Sequence, residues 1–224
     1  MSPYDTCVSN RMVNEKQHTV ACHVGDLKSN YVDPKVNNYF QKWFEKMYGS
    51  NDIGHAEASR GKVHEYLAMT LDYTGEGKLK IDMSKYLDSI ITEFPHGLPD
   101  RVKCPWTKNM LKVKKEENNM GDKKRAIFHS FMMKAVFLTE IVRADAHSSI
   151  YFLASRVKEN TTQDWMKLLR VLSYLKCTRY YLLTLEADNE QTLYCFVDAT
   201  FAVHADMKIH TGSIFYLGKG MIVT

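Results

Sequence analysis

The sequence predicts an α+β protein built from two parts, and three observations indicate this class. The predicted elements run strand–strand–helix twice and then, after a polar stretch, as three helices followed by three strands. The polar stretch contains "KVKKEENNMGDKKR", whose charge is typical of a loop or linker. With 13 Tyr, 10 Phe and 3 Trp among 224 residues, the chain can bury a substantial core.

Two hairpins are predicted in the first part. The first spans residues 17–29, where "ACHVGDLKSN" predicts a strand, a tight turn at Gly25 and Asp26, and a second strand from Leu27. The second spans residues 66–83, where the two glycines of "TGEG" supply the turn. Each hairpin is followed by a helical pattern.

Capping signals define these two helices. "DPKVNNYFQKWFEKMYGS" predicts a helix because Asp33 can cap it, Pro34 suits its first position and Gly49 suits a left-handed stop. "SKYLDSIITEF" predicts a shorter helix with Ser84 as its cap, and Pro95 ends it.

The second part starts with helices near residues 125–142 and 145–158. "TTQDWMKLLRVLSYLKCTR" predicts a third helix, over 162–179, with Thr162 as its cap. The basic residues on its solvent side are Lys167, Arg170, Lys176 and Arg179. The segments "YLLTLEA", "TLYCFVDATFAVH" and "GSIFYLGKGMIVT" then predict strands of a new sheet.

Composition sets broad limits on function. Lys and Arg exceed Asp and Glu by four, which is compatible with a polyanionic partner but does not require one. The five cysteines are scattered without a C-x-x-C pair, which argues against a zinc knuckle or a disulfide scaffold. No apolar run reaches the length of a membrane span. We therefore expect an intracellular protein, cytoplasmic or nuclear, without a membrane partner.

Two aspartates stand out because of their apolar surroundings. Asp26 lies at the tip of an apolar hairpin, where a carboxylate could hold Mg²⁺ beside a phosphate, although Gly-Asp is also ordinary turn chemistry. Asp198 lies in the strand "LYCFVDATFAVH", where a charge is costly unless it has a role, although a strand-end aspartate can also cap a turn. We expect Asp198 on a central strand with its carboxylate exposed.

The order of these features resembles the reverse transcriptase region of copia-type LTR retrotransposon polyproteins. "HVGDLKS" resembles the family's catalytic hairpin, and "GKVHEYLAMTLDYTGEGKLKIDMSKYLDSIITEFP" resembles the palm-to-thumb segment with the hairpin that grips the primer. "FHSFMMKAVFLTEIVRADAHSSIYFLASRVKENTTQDWMKLLRVLSYLKCTR" resembles the connection region. "FVDATFAVHADMKIHTGSIFYLGKG" resembles the start of a ribonuclease H domain. Together these segments cover nearly the whole chain.

This resemblance implies a division of the chain and a set of site residues. Residues 1–94 would be a partial palm and thumb, 95–124 a charged linker, 125–180 the helical connection, and 181–224 a truncated start of a ribonuclease H-like sheet. Asp26 and Asp198 would be the catalytic, Mg²⁺-binding carboxylates. The residues expected to contact nucleic acid are Tyr66, Lys78, Lys80, Lys167, Arg170, Lys176 and Arg179.

The active sites that the resemblance implies are incomplete. The family has two aspartates at the hairpin tip, and Gly25 replaces the first of them here. The resemblance also places the fingers, with a further aspartate, before residue 1. Two-metal phosphoryl transfer needs several carboxylates around two ions about 4 Å apart, so a single aspartate at each site is insufficient.

The predicted function is therefore that of a reverse transcriptase fragment, RNA-directed DNA polymerase by descent, without catalytic activity of its own. An RNA/DNA primer–template is the expected partner, together with a second copy of the chain or missing polyprotein segments. Two alternatives remain open. One is a non-catalytic nucleic-acid-binding or structural module, with an ordinary solvated surface as the simpler interpretation of the basic helix. The other is a relic without function.

Overall fold

The structure, a computed structural model, describes residues 4–49, 55–113, 120–188, 192–200 and 210–223. It divides into two units, Met1–Leu67 and Ala68–Thr224. Helices and small antiparallel sheets occur together, so the predicted α+β class is confirmed at that level.

The first unit contains a three-stranded antiparallel sheet in the order β1 (Val8–Val13), β2 (Lys16–His23) and β3 (Asp26–Asn30). The predicted hairpin is present as β2 and β3, but its turn lies one residue earlier than expected. Val24 takes a positive φ of 52°, which a two-residue hairpin turn requires at a central position, and His23 pairs with Asp26. Asp26 therefore begins β3 and is not a turn residue.

Helix α1 (Pro34–Tyr48) begins as predicted and ends differently. The Asp33 carboxylate accepts a hydrogen bond of 2.9 Å from the backbone N–H of Lys35, and Pro34 is the first helical residue. Gly49 has an extended backbone, with φ −68° and ψ 129°, so the expected left-handed stop is wrong. Glycine is needed there for another reason, since a Cβ would lie 2.5 Å from the carbonyl oxygen of Glu45.

A histidine lies at the centre of the first unit, which ends with the short strand β4 (Val63–Tyr66). Among the described residues of this unit only His18 is buried. Its Nε2 lies 2.8 Å from the Ser29 hydroxyl oxygen, and its ring makes edge contacts with Tyr31 and Phe40. Burial, together with the positive charge of Arg11, lowers the pKa of His18.

The second unit contains an antiparallel sheet that includes β5 (Met69–Asp72), β6 (Lys78–Asp82) and β7 (Leu183–Glu186), in that order. The strand predicted from "YLLTLEA" is β7, and it pairs with β6 instead of joining a new sheet. Residues from before and after the predicted linker thus share one sheet. The boundary between the units follows Leu67 and does not fall at 95–124.

The stretch 95–124 is also more than a solvated linker. Pro105, Met110 and Met120 are buried within it, and the backbone carbonyl of Lys112 accepts a hydrogen bond from Lys167. Its few apolar side chains pack despite the surrounding charge. Residues 114–119, which include part of the predicted charged run, lie outside the described residues.

Four helices form the core of the second unit: α2 (Ser84–Glu93), α3 (Asp122–Ile141), α4 (Ala144–Ser155) and α5 (Thr162–Cys177). A 3₁₀ turn, Val157–Glu159, lies between the last two. The fully buried apolar side chains of these helices include Leu87, Ile90, Phe128, Met132, Leu138, Ile150, Phe152, Leu153 and Leu168. None of the helices in the described ranges combines the length and apolar character required to span a bilayer.

Two predicted caps are each displaced by one or two residues. Ser84 is the first helical residue of α2, and its backbone N–H donates to the Asp82 carboxylate at 2.7 Å. Thr161, not Thr162, caps α5 through a capping box with Asp164. In both cases a residue nearer the N-terminus supplies the acceptor for the free N–H groups.

The chain ends in a third antiparallel sheet of β8 (Leu193–Thr200), β9 (His210–Leu217) and β10 (Met221–Val223), in the order β10-β9-β8. The two longer strands correspond to the last predicted segments. Asp198 pairs with Gly212, and its side chain is exposed as expected. Its strand β8 is at one end of this order and is not central, so that part of the prediction is wrong.

Candidate functional site

The tip of the β2–β3 hairpin presents a single carboxylate. Asp26 is exposed and lies directly after Gly25. A Cβ at Gly25 would meet no atom within 4 Å, and the φ of Gly25 is not in the left-handed region. A side chain at position 25 would therefore not clash. The second carboxylate is missing because the sequence has glycine there, and the backbone geometry does not require one.

Tyr66 lies beside this hairpin. Burial raises the pKa of the Tyr66 phenol, and the nearby negative charge of Asp26 raises it further. The thiolate forms of Cys22 and Cys7 act in the same direction. Of the residues that the sequence predicts for the site, Asp26 and Tyr66 are the two that the first unit brings together.

The donor set at the hairpin does not fit a pair of Mg²⁺ ions. Such a pair needs several carboxylate oxygens from more than one element. Among the described residues there is no group of three or more His, Cys, Asp or Glu side chains that could hold a metal ion. Asp26 could contribute one ligand to an ion but cannot complete a site with its described neighbours.

Asp198 lies on an aromatic sheet face in the second unit. Tyr194, Phe196 and Asp198 alternate along β8 and share one face, because successive side chains of a strand point to opposite faces. An open depression of about 440 Å³ lies on this sheet; the residues that line it are Tyr194, Phe196, Ile214, Tyr216 and Gly218. Exposed aromatic rings beside a carboxylate could contact a base or another ring, but one carboxylate does not form a two-metal centre.

The first basic residue of α5 has a structural role. The Lys167 ammonium donates to the carbonyl oxygen of Lys112 at 2.8 Å and to the Asp164 carboxylate at 3.3 Å. Only 10% of the Lys167 side chain is exposed, and its ammonium lies 4.7 Å from the centre of the Phe152 ring. A cation held this way is not available to neutralise a phosphate.

The other three basic residues on this side are also occupied or partly buried. Lys176 forms an ion pair with Asp100 at 3.1 Å, and Arg179 forms one with Asp88 at 3.7 Å. Arg170 is half-buried, and its Nε is buried without a hydrogen-bond partner. Of the four cations in the predicted footprint, two are therefore paired with acidic residues from other segments, Lys167 is paired within α5, and Arg170 is half-buried.

A more exposed group of cations lies on the sheet of the second unit. We call Lys78, Lys80 and Lys219 the β6 lysine cluster. Lys78 and Lys219 both pair with Glu186, at 3.4 Å and 3.0 Å, and 75% of the Lys219 side chain is exposed. The hydrogen bond from Lys219, together with the charges of both lysines, lowers the pKa of Glu186.

Lys80 belongs to the same face because it lies two residues after Lys78 on β6. It lies opposite Asp72, and its charge contributes to the lowered pKa of that carboxyl, after the hydrogen bonds from Thr74. Sequence reasoning found Lys78 and Lys80 but missed Lys219. Lys219 reaches the group through its backbone bridge with Glu186, a long-range contact that no local pattern signals.

No family model, curated protein or solved structure matches this chain.

Proposed function

We propose that this chain derives from a copia-type reverse transcriptase and does not polymerise DNA by itself. The observation that carries the proposal is the β2–β3 hairpin, which presents an exposed Asp26 at its tip beside Gly25. Its strand–turn–strand geometry is the one expected for the resemblance in "HVGDLKS". The resemblance of the remaining segments supports the same origin.

The chemistry of the hairpin supports the lack of activity. Nucleotide addition through two metal ions requires carboxylates that neutralise both ions and orient the attacking and leaving oxygens. Asp26 supplies one negative charge, and the neighbouring Tyr66 phenol supplies none, since burial raises its pKa further above the ordinary 10.0 and a phenol is neutral at physiological pH. This part of the chain can bind and orient a cation weakly but cannot assemble the full charge.

A second carboxylate at the hairpin tip should create measurable divalent-ion binding. We expect Gly25→Asp to bind Mn²⁺ on the order of tenfold more tightly than the wild type, since two adjacent carboxylates share one ion. The substitution should leave the fold intact because a Cβ at this position meets no atom within 4 Å. Water-proton relaxation enhancement by Mn²⁺ measures the affinity.

Gly25→Asn is the matched control, since it adds nearly the same side chain without the charge. It should bind Mn²⁺ no better than the wild type. Neither the wild type nor either variant should extend a primer on an RNA template with Mg²⁺ or Mn²⁺. Equal Mn²⁺ affinities for the Asp and Asn variants would contradict the derivation from a catalytic hairpin. Primer extension by the wild type that is lost in Asp26→Asn would contradict the lack of activity.

A second candidate function is non-catalytic binding of nucleic acid. The β6 lysine cluster favours it, because three exposed cations lie on one sheet face and two of them share a single carboxylate, Glu186. Glu186 and Asp72 lie within the same face and reduce its net charge. Binding through this face should therefore be weak, electrostatic and independent of base sequence.

Salt dependence distinguishes this face from α5. Three neutralised phosphates give a slope of about −2.7 in log affinity against log salt concentration for duplex DNA. We expect the combined Lys78→Ala, Lys80→Ala and Lys219→Ala variant to lose most of this slope. Fluorescence anisotropy with a short labelled DNA duplex over a range of salt concentrations measures it.

The control is Lys176→Ala combined with Arg179→Ala, which removes the two paired cations of α5 and its end. This control should change the slope by less than about 1, since Lys176 and Arg179 each have a carboxylate of their own, whereas Lys78 and Lys219 share Glu186. If the control removes the slope and the cluster variant does not, the binding face lies on α5. An absence of binding at low salt would exclude this second function.

A further inference from the structure

Cys7 and Cys22 face each other across the first two strands. Val8 pairs with Ala21, so the next position outward places Cys7 opposite Cys22. The backbone N–H of Cys22 donates to the carbonyl oxygen of Cys7 at 2.8 Å, which confirms this register beyond the end of β1. The Cys22 sulfur lies 3.4 Å from the same oxygen.

The pair is held from both sides. The Asp5 carboxylate accepts a hydrogen bond of 2.8 Å from the backbone N–H of Cys7. Both the N–H and the carbonyl oxygen of Cys7 are therefore hydrogen-bonded. Directly opposed residues of antiparallel strands have Cα atoms about 4.5–5.5 Å apart and side chains on the same face. Disulfides span Cα separations of about 4.4–6.8 Å. A bond between these two sulfurs therefore needs no change of register.

Cys7 and Cys22 both belong to the first unit. Both residues are exposed, so a dissolved oxidant can reach them. The other three cysteines, Cys104, Cys177 and Cys195, belong to the second unit.

We propose that Cys7 and Cys22 are a redox modification site that forms a cross-strand disulfide by exchange with a small-molecule disulfide such as glutathione disulfide. One cysteine thiolate attacks the glutathione disulfide, which releases one glutathione thiolate and leaves a mixed disulfide on the protein. The second thiolate attacks the protein sulfur of that mixed disulfide and releases the second glutathione. The two cysteines lose two electrons and two protons, and glutathione disulfide gains both.

The position of the bond gives it a defined effect. It ties β1 to β2 one residue before His23, the last residue of β2 before the turn that leads to Asp26. Because the two sulfurs are exposed, the disulfide should be reduced readily by a small thiol. The site does not depend on the polymerase origin of the chain, since it rests on strand register alone.

Oxidation of the folded protein tests the site. The wild type and a variant with Cys104→Ser, Cys177→Ser and Cys195→Ser are incubated with glutathione disulfide, alkylated and analysed by intact mass and peptide mapping. Both should lose two hydrogen atoms in mass and yield a linked peptide that contains Cys7 and Cys22. Dithiothreitol should reverse the change. This disulfide should be about tenfold more abundant than any other protein disulfide, because the strand register raises the effective concentration of the second thiol.

Single variants supply the control. In Cys7→Ser or Cys22→Ser the remaining cysteine should retain glutathione as a stable mixed disulfide, because the resolving thiol is gone. In denaturant the preference for the Cys7–Cys22 pair should disappear. Glutathione on both cysteines of the wild type without a linked peptide would overturn the proposal. A dominant disulfide to any cysteine of the second unit would do the same.

Discussion

Arg143→Met should lower the free energy of unfolding by about 3 kcal/mol or more, one of the largest effects expected for a single substitution in this chain. Arg143 is only 1% exposed, and its guanidinium donates to both oxygens of Asp145, at 2.9 Å and 2.8 Å. It also donates to the carbonyl and hydroxyl oxygens of Thr178, at the end of α5. Methionine fills the space but supplies none of these donors.

The cost arises from the acceptors left behind. The carbonyl oxygen of Thr178 and the Asp145 carboxylate lose charged donors, and the Tyr174 hydroxyl, 2.6 Å from Asp145, remains as the main partner of that carboxylate. The guanidinium also stacks over the rings of Tyr174 and Tyr181, so packing is lost with the charge. Arg143→Lys should cost less than Arg143→Met because it keeps the charge, but more than a surface change because it lacks the planar fork.

Urea denaturation followed by circular dichroism measures the effect. The matched control is Arg179→Met, which removes a largely exposed ion pair with Asp88 and should cost less than about 1 kcal/mol. A double-mutant cycle with Asp145→Asn should give a coupling free energy of at least about 1 kcal/mol. If Arg143→Met and Arg179→Met destabilise equally, the buried contacts of Arg143 do not carry the expected weight.

The same cluster predicts a pH dependence with a known sign. Burial raises the pKa of Asp145, but hydrogen bonds from Arg143 and Tyr174 and the charge of Arg143 outweigh it and lower the pKa below the usual 3.8. The stability that ionised Asp145 contributes is present above pH 3.8 and is lost as pH falls further.

Burial and then the bond to Asp145 raise the pKa of Tyr174 from 10.0 to about 12. That contribution is present below pH 10 and is lost between pH 10 and 12. In Arg143→Met the loss on the acid side should be smaller than in the wild type.

The features that the sequence predicts well are those fixed by neighbouring residues. Asp33 and Pro34 begin α1 because an acceptor side chain and a fixed φ act within one helical turn. The β2–β3 hairpin follows from two strand-forming segments separated by a short turn at Gly25. Even there, the turn moved by one residue because Val24 adopts the positive φ that sequence reasoning assigns to glycine or aspartate.

The features that the sequence does not predict depend on residues far apart in the chain. Strand β1 has no clear alternation, and only its pairing with β2 explains it. Strand β7 pairs with β6, from which the helices α2 to α5 and the predicted linker separate it. Helical periodicity correctly places Lys176 on the side of α5 that faces away from the core, but it cannot indicate that Asp100 pairs with it. Nor does any local pattern indicate that Asp88 pairs with Arg179, just beyond the helix.

The residues of the candidate site also divide into those that neighbouring sequence predicts and those that only long-range contacts bring together. The hairpin that carries Asp26 is predictable because a hairpin is a local unit formed by neighbouring residues. The proximity of Tyr66 to Asp26 and of Lys219 to Lys78 arises from contacts between elements, which require the folded chain. A two-metal centre is built from such long-range contacts, which is why a local motif such as "HVGDLKS" cannot by itself establish catalysis.

Asp164→Ala should be the other strongly destabilising substitution, by about 3–5 kcal/mol. Asp164 is 1% exposed and accepts hydrogen bonds of 3.0 Å from both the backbone N–H and the hydroxyl of Thr161. Its carboxylate also lies 3.3 Å from the Lys167 ammonium and 3.6 Å from Nε of Arg156. Alanine removes the Asp164 half of the capping box of α5 and the negative charge that two largely buried cations share.

Two further variants separate these causes. Thr161→Ala removes the capping hydroxyl and should cost about 1 kcal/mol. Asp164→Asn keeps a hydrogen-bond acceptor for the Thr161 N–H but removes the negative charge. The loss of stability in Asp164→Asn therefore measures the part of the Asp164→Ala loss that comes from Lys167 and Arg156. We expect this charge-dependent loss to be larger than the loss from the capping box. The Lys167 and Arg156 side chains are only 10% and 13% exposed, and cations buried to this extent need a nearby negative charge. Urea denaturation of the three variants at neutral pH measures each loss. An Asp164→Ala cost no larger than that of Thr161→Ala would mean that the two cations are stabilised by the Lys112 carbonyl, the Phe152 ring and solvent. Asp164 would then serve only as the second member of the capping box.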